Sequence, residues 1–275
     1  MEVLIVGAGA MGTWFGETVA DAKSLESSVT FVDVDREQAE RAADSIGEGA
    51  TVAAEDSDAR YDLVCVAVPL EYAPETIEAY GGLAEHALVD VAGVMEGPLE
   101  AMRTVAPDTE RISLHPLFAP ERAPGSIAVV RGNPGPYTDS LLAALEDAGN
   151  QLVETTADEH DRAMESVQSA AHAAVLAFAL AADPVPEGFE TPIYDELRTL
   201  VEYVTGGTPR VYADIQHTFE GAHGVAEAAQ AIAEADSTGF EALHERAARK
   251  WAKADEDTPS TPPGNSNADA RGDGE

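Results

Sequence analysis

Three glycines close to the start of the chain have the spacing G-x-G-x-x-G. They follow the apolar run Val3 to Val6 and precede a stretch, Thr13 to Ala22, with apolar residues at helical intervals. In a strand–turn–helix of this kind the backbone can approach a pyrophosphate closely, and the free N–H groups at the helix start face it. The spacing therefore predicts a dinucleotide-binding turn made of Gly7, Ala8, Gly9, Ala10, Met11 and Gly12.

An acid stands where this interpretation requires one. The strand-like run Val29 to Val32 leads into Asp33, twenty-one residues after the last of the three glycines. A carboxylate at this distance can accept a hydrogen bond from the ribose 2′-OH of NAD, and it repels a 2′-phosphate. Arg36 is close enough in sequence to pair with such a phosphate. We therefore expect NAD as the cofactor, with NADP as the alternative, and we expect Val68 and Pro69 to contact it as well.

Strand-like and helix-like stretches alternate through the first part of the chain. Apolar runs of strand length recur at residues 63–68, 87–91, 111–114, 127–130 and 151–154. This alternation predicts an α/β fold of the Rossmann type, with a doubly wound parallel sheet whose reactive groups collect at the carboxyl ends of the strands. Pro69, Gly93 and His115 lie at such ends.

The strand signals stop near residue 157. Residues 158–182 predict one helix whose second half is almost entirely apolar, so we expect it at the buried centre of an all-helical second domain. Further helices are predicted at 192–204, 209–235 and 238–253. The predicted domains are a dinucleotide-binding domain at 1–157, a helical substrate and dimerisation domain at 158–253, and a disordered acidic tail at 254–275.

The charge of the chain is strongly acidic. Its 275 residues include 51 aspartates and glutamates against 16 lysines and arginines, a formal net charge of −35. Such a surface repels nucleic acid and anionic membranes, so neither is expected as a partner. In about molar salt the Debye length falls to about 3 Å, which screens the self-repulsion. We therefore expect a soluble protein of a salt-rich cytoplasm, without a signal peptide because Met1 leads directly into the first strand.

His115 lies in a distinctive run, LHPLFAP at residues 114–120. The run resembles the L-H-P-M-F-G-P signature of prephenate dehydrogenases. LVDVAGV at 88–94 and GPLEAM at 97–102 resemble the strand and helix that precede it in that family. EHD at 159–161, TPIY at 191–194 and VYADI at 211–215 match in the same order. The chain is thereby identified as a member of the prephenate and arogenate dehydrogenase family, of an acidic, haloarchaeal-like type.

The resemblance implies a reaction, the NAD(P)-dependent oxidative decarboxylation of prephenate to 4-hydroxyphenylpyruvate in tyrosine biosynthesis. Arogenate is the alternative substrate. The family's catalytic histidine corresponds to His115, which is expected to take the hydroxyl proton because a neutral imidazole is a base near pH 7. The resemblance also implies a homodimer joined through the helical domains.

The family's substrate contacts are only partly present. His172 falls where the family places a pocket histidine, although a satisfied core histidine is an alternative, and for His160 a capping or structural role is expected. The family's carboxylate-binding arginine aligns with Tyr203, and its serine and lysine after the strand at 88–91 are replaced by Gly93 and Met95.

A carboxylate substrate still needs a cation. The candidates are Arg198, Arg210, Arg162 and Arg122. The predicted substrate contacts are His172, Tyr203 and Arg198.

Other functions stay open on the sequence. The β-hydroxyacid dehydrogenases need a lysine in the helical domain, whereas the lysines here are Lys23, Lys250 and Lys253. Deazaflavin-dependent NADP reductases share the glycine turn but do not account for the run at 114–120. The replaced family residues favour a third alternative, a dinucleotide-binding sensor without turnover. No metal site is expected, because the sequence has no metal-binding motif and only one cysteine, Cys65, within an apolar run.

Overall fold

A single eight-stranded sheet organises the structure, a computed structural model that describes residues 1–186 and 188–257. The order across the sheet is β3-β2-β1-β4-β5-β6-β7-β8. The strands are β1 (Glu2–Val6), β2 (Ser28–Val32), β3 (Ala50–Val52), β4 (Tyr61–Val66), β5 (Ala84–Asp90), β6 (Glu110–Pro116), β7 (Ser126–Asn133) and β8 (Gln151–Glu154).

Helices cover the sheet and then continue without further strands in the described residues. Those between strands are α1 (Ala10–Asp21), α2 (Arg36–Ile46), α3 (Ala73–Tyr80), α4 (Glu96–Val105) and α5 (Pro136–Asp147). Those that follow the sheet are α6 (Ala157–Met164), α7 (Ala171–Ala181), α8 (Pro192–Gly206), α9 (Pro209–Thr218), α10 (Gly221–Glu234) and α11 (Ser237–Asp257). The chain forms two compact units, Met1–Gly224 and Val225–Glu275. The functional boundary at residue 157 stays a prediction.

The predicted parallel sheet is confirmed for β1 to β6 and is wrong for the last two strands. β7 runs antiparallel to β6, and β8 runs parallel to β7. The β6–β7 connection, residues 117–125, contains a single 3₁₀ turn at Pro120–Arg122. A return to the same end of the sheet needs a crossover of about a dozen or more residues, so the short connection forces an antiparallel pair.

The apolar strand runs follow from burial on both faces of the sheet. Val3 and Ile5 pack with Phe15 of α1 on one face, whereas Leu4 packs with Ile77 of α3 on the other. Side chains alternate across a strand, so a strand covered on both sides is apolar at every position.

The helical region differs from its prediction in three places. The expected single helix at 158–182 is interrupted by a π-helical segment, Glu165–Ala170. The expected burial of the second half is wrong, since none of the α7 residues is buried. α7 packs on α8 along one side, and side chains on other sides, such as Leu180, face solvent. The expected helix at 209–235 is broken between α9 and α10.

The C-terminal helix extends beyond its predicted end at residue 253. It continues to Asp257, so residues 254–257 of the predicted disordered tail are helical. The reason is local, since the first helix breaker after Lys253 is Pro259. The rest of the predicted tail, 258–275, lies outside the described residues. Within the described ranges, no helix has both the length and the apolar character needed to cross a membrane.

Candidate active site

The glycine turn closes the carboxyl end of β1. Gly7 has a φ of +100°, and a Cβ there would collide with the carbonyl oxygen of Ala67. A Cβ on Gly12 would collide with the carbonyl oxygen of Gly7, so α1 approaches β1 closely only with glycine at this position. A Cβ on Gly9, in contrast, would meet only the Gln38 side chain, at 3.8 Å. The space in front of the α1 N-terminus is therefore open, as an anion site at a helix start requires.

Asp33 holds the turn in place. Its Oδ2 accepts a hydrogen bond from the Ala8 N–H at 2.7 Å, and its Oδ1 accepts one from the Asp35 N–H at 2.8 Å. Ala10 and Met11 form the first turn of α1, where Gly9 is the N-cap and offers no side chain to the free amides. The predicted residues of the turn are thus brought together with the predicted ribose acid.

A cleft of about 420 Å³ lies at the carboxyl ends of β2 and β3 and is lined by Asp33, Glu55, Asp56 and Arg36. The Arg36 Nε pairs with Glu40 Oε1 at 2.9 Å. The cleft is therefore rich in negative charge, and its one cation already has an acidic partner.

Val68 and Pro69 lie on the neighbouring segment, after β4. The Val68 side chain lies beside Gly7, 3.0 Å from where a Cβ would stand. Pro69 is exposed and begins a 3₁₀ turn at Leu70–Tyr72. Their contact with a bound dinucleotide stays a prediction.

His115 lies at the carboxyl end of β6. The glycine turn lies at the same end of the sheet, where the parallel strands β1 to β6 all have their carboxyl ends. The His115 ring is buried, with Nδ1 2.9 Å from His160 Nε2 and Nε2 3.3 Å from Gln168 Nε2. Burial, helped by the neighbouring His160, lowers the pKa of His115 to about 3, against the opposing effect of Asp161. The imidazole is therefore neutral at physiological pH.

His160 and Asp161 connect His115 to the start of α4. His160 Nδ1 is 2.7 Å from Asp161 Oδ1, and the two oxygens of Asp161 accept hydrogen bonds from the backbone N–H groups of Met95 and Glu96. Burial alone would raise the pKa of Asp161, but the hydrogen bonds from His160, Glu96 and Met95 outweigh it and hold the pKa below its usual value. His160 does not cap α6, because Thr156 does.

A second acid lies deeper at this edge. Asp90 ends β5 with no exposed surface, and burial, helped by the negative charge of Asp161, raises its pKa to about 7. The Ala92 N–H, which donates to Asp90 Oδ1, and the nearby Ser113 hydroxyl oppose this rise. Ser113 is the register partner of Asp90 on β6. Neither Asp90 Oδ2 nor Ser113 Oγ has a hydrogen-bond partner among the described residues.

Gln168 reaches His115 from the π-helical segment between α6 and α7. Single turns of π-helix inside longer helices occur frequently at functional sites. The register change brings the Gln168 amide against His115, while Ser169 of the same segment is buried and donates a hydrogen bond to the Phe219 carbonyl oxygen at 3.1 Å.

The three predicted substrate contacts lie on α7 and α8. His172 is half-buried against Tyr212, with ring centroids 4.9 Å apart, and burial lowers its pKa. Its Nδ1 has no partner among the described residues. Tyr203 is exposed, and the Arg122 guanidinium lies 4.4 Å above its ring centroid. Arg198 is exposed and pairs with Asp195 and Glu202 at 3.7 and 3.6 Å.

The other candidate cations differ in their partners. Arg210 pairs with Glu71 and Asp214, and Arg162 pairs with Asp158. Arg122 has no carboxylate within 4.0 Å in the described part of the chain.

The two replaced family positions have clear structural consequences. A Cβ on Gly93 would lie 3.1 Å from His115 Nε2, so glycine avoids a tight contact with that atom. The Met95 side chain is fully buried in an apolar cluster with Ala128 and Val130.

No role for Asp161 or Gln168 is predicted from the sequence. Both carried a signal: Asp161 belongs to the EHD match, and Gln168 follows His160 by eight residues, a spacing that places two side chains on one helix face. What the spacing could not indicate was their common partner, His115.

One group of possible metal ligands lies at the opposite edge of the sheet. Asp62, Glu85 and His86, near the amino ends of β4 and β5, bring their ligand atoms within 4.8 Å of one another. Exposed acidic groups of this kind are common on an acidic surface, so the sequence expectation of no metal site stays a prediction.

Comparison with known proteins identifies several that this chain is similar to. Residues 2–93 match the family model described as NADP oxidoreductase coenzyme F420-dependent. The chain is 29% identical to the 4-amino-4-deoxyprephenate dehydrogenase of Streptomyces pristinaespiralis over 88% of each chain. It is 25% identical to a probable arogenate/prephenate dehydrogenase of Methanocaldococcus jannaschii over 78% of this chain, but it spans only 50% of that protein.

The fold has solved counterparts. The structure of prephenate dehydrogenase from Aquifex aeolicus, determined with hydroxyphenyl propionate and NAD+, superposes with a TM-score of 0.66 at 16% identity and covers 94% of this chain and 92% of that one. The chain is thus a dinucleotide-dependent oxidoreductase that is similar to prephenate and arogenate dehydrogenases.

Proposed function

We propose that the protein catalyses the NAD(P)-dependent oxidative decarboxylation of prephenate to 4-hydroxyphenylpyruvate. The observation that carries the proposal is the buried neutral imidazole of His115, on the same sheet edge as the glycine turn. Arogenate, which has the same ring and an amino acid side chain in place of the keto acid, would react by the same route.

The cofactor site fits NAD better than NADP. The open space at Gly9 and the α1 N-terminus suit a pyrophosphate, and the cleft beside Asp33 suits the adenosine half. A 2′-phosphate would enter among Asp33, Glu55 and Asp56, and Arg36 is already paired with Glu40. NADP remains the alternative cofactor.

In this reaction His115 would take one proton and later return it. NAD(P)+, when bound, supplies the acceptor for the hydride that leaves the ring carbon bearing the hydroxyl. As the hydride leaves, that hydroxyl becomes strongly acidic, so even an imidazole with a low pKa can take its proton. CO₂ then departs, its bonding electron pair moves through the ring to the oxygen as the ring becomes aromatic, and the phenolate oxygen takes the proton back from His115.

Arg122 is the cation that we propose for a substrate carboxylate. It lies over Tyr203, the residue that aligns with the family's carboxylate-binding arginine, and it has no acidic partner in the described residues. Arg198, the other candidate on this side, already pairs with two acids. The Tyr203 ring, stacked on the Arg122 guanidinium, would fix its orientation, and the guanidinium N–H groups would donate to the substrate carboxylate.

A second substrate is favoured by one observation. The relative from Streptomyces pristinaespiralis, matched over most of both chains, is named for 4-amino-4-deoxyprephenate, which carries an amino group where prephenate carries the hydroxyl. An imidazole lone pair can accept a hydrogen bond from N–H as well as from O–H. The His115 geometry therefore suits this substrate too.

A dimer would cover the helical region. The sequence of α7, AHAAVLAFALA, is apolar apart from His172, yet none of its residues is buried. We propose a second copy of the chain as its partner. Leu180→Glu should then lower the sedimentation-derived mass to that of a monomer, whereas Val34→Glu, equally exposed at 88% but outside α7, should not. A wild-type monomer would contradict the proposal.

Turnover decides among these functions. The full chain would be assayed in molar KCl with prephenate, arogenate and 4-amino-4-deoxyprephenate, each with NAD+ and with NADP+. Formation of reduced cofactor and CO₂ with prephenate supports the proposal, and a clear preference for another substrate replaces it. Cofactor binding without turnover of any of the three would favour the sensor function.

The same preparation tests the predicted salt adaptation. We propose that the charge of −35 is tolerated because salt screens it, so the Tm should rise steeply between dilute and molar KCl. A flat or falling Tm would contradict the salt adaptation and leave the enzymatic proposal untouched.

A further inference from the structure

We propose that His160 and Asp161 are positioning residues that fix the tautomer of His115, so that its Nε2 atom is the proton acceptor. Only the catalytic role of Nε2 rests on the proposed function. The tautomer itself follows from hydrogen bonds within the protein.

The polarity of the hydrogen bonds starts at Asp161. Two backbone N–H groups, of Met95 and Glu96, donate to its oxygens, which favours the ionised form of the carboxyl. An ionised carboxylate only accepts hydrogen bonds. The contact of 2.7 Å to His160 therefore requires a proton on His160 Nδ1.

That proton determines the next contact. A neutral imidazole with a proton on Nδ1 has a lone pair on Nε2. His160 Nε2 lies 2.9 Å from His115 Nδ1, so it accepts a hydrogen bond and His115 Nδ1 must donate it. His115 Nε2 is then left with its lone pair, beside Gly93 and within 3.3 Å of the Gln168 side chain.

The contact of Gln168 with the other ring nitrogen of His115, Nε2, is consistent with this tautomer. Its amide nitrogen, a donor, is 3.3 Å from His115 Nε2, which can only accept in this tautomer. Gln168 thus occupies the lone pair in the free protein, and a substrate hydroxyl would take its place.

The arrangement also stabilises the product of proton transfer. When His115 Nε2 takes a proton, its Nδ1–H continues to donate to His160, and no further proton has to move. The ionised Asp161 opposes the lowering of the His115 pKa. A buried acid that orients an imidazole and stabilises its charged form acts in the same way in hydrolase triads.

The titratable groups around His115 are few. His160 and Asp161 face it from α6, and Asp90, on β5, interacts electrostatically with Asp161. A merely structural role would require only that the buried nitrogens be paired, whichever tautomer resulted. The tautomer is therefore the observable that separates the two roles.

The test is ¹⁵N NMR of the full-length protein labelled at histidine, with His115 assigned by its absence in His115→Asn. We expect wild-type His115 to carry its proton on Nδ1. His160→Gln, which keeps an acceptor near Nδ1, should preserve this tautomer. His160→Leu, which removes the acceptor, should shift it towards a proton on Nε2. His217→Leu, at an exposed histidine, is the control and should change nothing.

Kinetics extend the test to catalysis. His160→Leu should lower kcat by about 10²-fold with little change in KM, and His160→Gln should recover most of that loss. A wild-type His115 protonated on Nε2, or His160→Leu with unchanged tautomer and kcat, would overturn the inference. The NMR measurement needs no turnover, so failure of the proposed function would show separately, as inactivity of the wild-type protein.

Discussion

The glycine turn and the histidine cluster, made of His115, His160 and Asp161, lie at the carboxyl end of the same parallel strands. They differ in how far apart in sequence their bonded residues are. In the turn, Asp33 bonds the Ala8 amide across 25 residues of sequence within one strand–helix–strand unit. In the cluster, His115 meets His160 across 45 residues, and Asp161 meets the Met95 amide across 66. The turn is a local motif that backbone geometry fixes, whereas the cluster exists only when separate elements pack together.

The difference predicts how each region responds to change. The turn should be sensitive to added volume, because its glycines are constrained by backbone atoms. The cluster should be sensitive to lost polarity, because its groups are buried and few.

Apart from substitution of His115, the largest effect should come from substitution of a glycine in the turn, which should weaken NAD+ binding. Gly12→Ala places a Cβ against the Gly7 carbonyl oxygen, a backbone atom that cannot rotate away. We expect the Kd for NAD+ to rise at least about 100-fold, equivalent to about 2.8 kcal/mol. Gly97→Ala, whose Cβ would meet only Pro74 at 3.8 Å, is the control and should bind NAD+ normally. Unchanged affinity in Gly12→Ala would show that the turn does not hold the cofactor.

Loss of Arg122 should act on substrate binding alone. A charge-assisted hydrogen bond contributes about 1.5–3 kcal/mol, so Arg122→Ala should raise the substrate KM by about 10- to 100-fold. Arg198→Ala is the matched comparison, and its exposed ion pairs contribute about 1 kcal/mol or less. A larger KM effect from Arg198→Ala than from Arg122→Ala would assign the carboxylate to Arg198.

Cofactor preference should show a smaller change. The acids around the ribose cleft should make kcat/KM with NAD+ higher than with NADP+ by about tenfold or more, since each 1.4 kcal/mol is a factor of ten. Asp33→Asn should narrow that ratio, whereas Glu48→Gln, an equal charge change at an exposed position outside the cleft, should not. Equal efficiency of the wild-type protein with both cofactors would overturn the assignment to NAD.

The smallest effect concerns stability and pH. The pKa of Asp90 is raised to about 7 in the folded protein, so the folded state binds more protons than the unfolded state between about pH 4 and 7. This contribution to stability is therefore lost as the pH rises through 7. His115, with its pKa lowered to about 3, acts in the opposite sense and costs stability as the pH falls below about 6.5.

Asp90→Asn isolates the first of these contributions. Its Tm relative to wild type should increase between pH 5 and pH 8, because only the wild-type protein must then bury a charged carboxylate. The contribution of His115 to the pH dependence of stability is the same in both proteins, and both are measured at the same salt concentration, so neither affects the Tm difference. A Tm difference that is equal at the two pH values would contradict the raised pKa.

The sequence predicted the turn in detail and the cluster only in part. Apolar runs and glycine spacing identified β1, α1 and Asp33, because those contacts are set within one supersecondary unit. His115 was found through its motif, but its partners were not, since pairing between distant helices and strands leaves no periodic signal. The antiparallel β7 was missed for a related reason: alternation of strands and helices does not reveal a connection too short for a crossover.

The exposure of α7 was missed because apolar composition predicts burial without naming the partner. Among the described residues α7 packs on α8 and His172 contacts Tyr212 of α9, but Leu180 stays 88% exposed. The same composition that predicted a domain centre is equally suited to an interface.

The central claim is that His115 is the general base, and His115→Asn tests it most directly. Asparagine keeps a similar size and hydrogen-bonding capacity but cannot accept a proton near neutral pH. A positioned general base contributes about 10²- to 10⁴-fold in rate, so kcat should fall by that factor while the Kd for NAD+ stays near the wild-type value. Because the pKa of His115 in the free protein is about 3, its acid limb in kcat/KM should lie well below pH 6. Near-normal turnover by His115→Asn would contradict the account and make this histidine a structural residue.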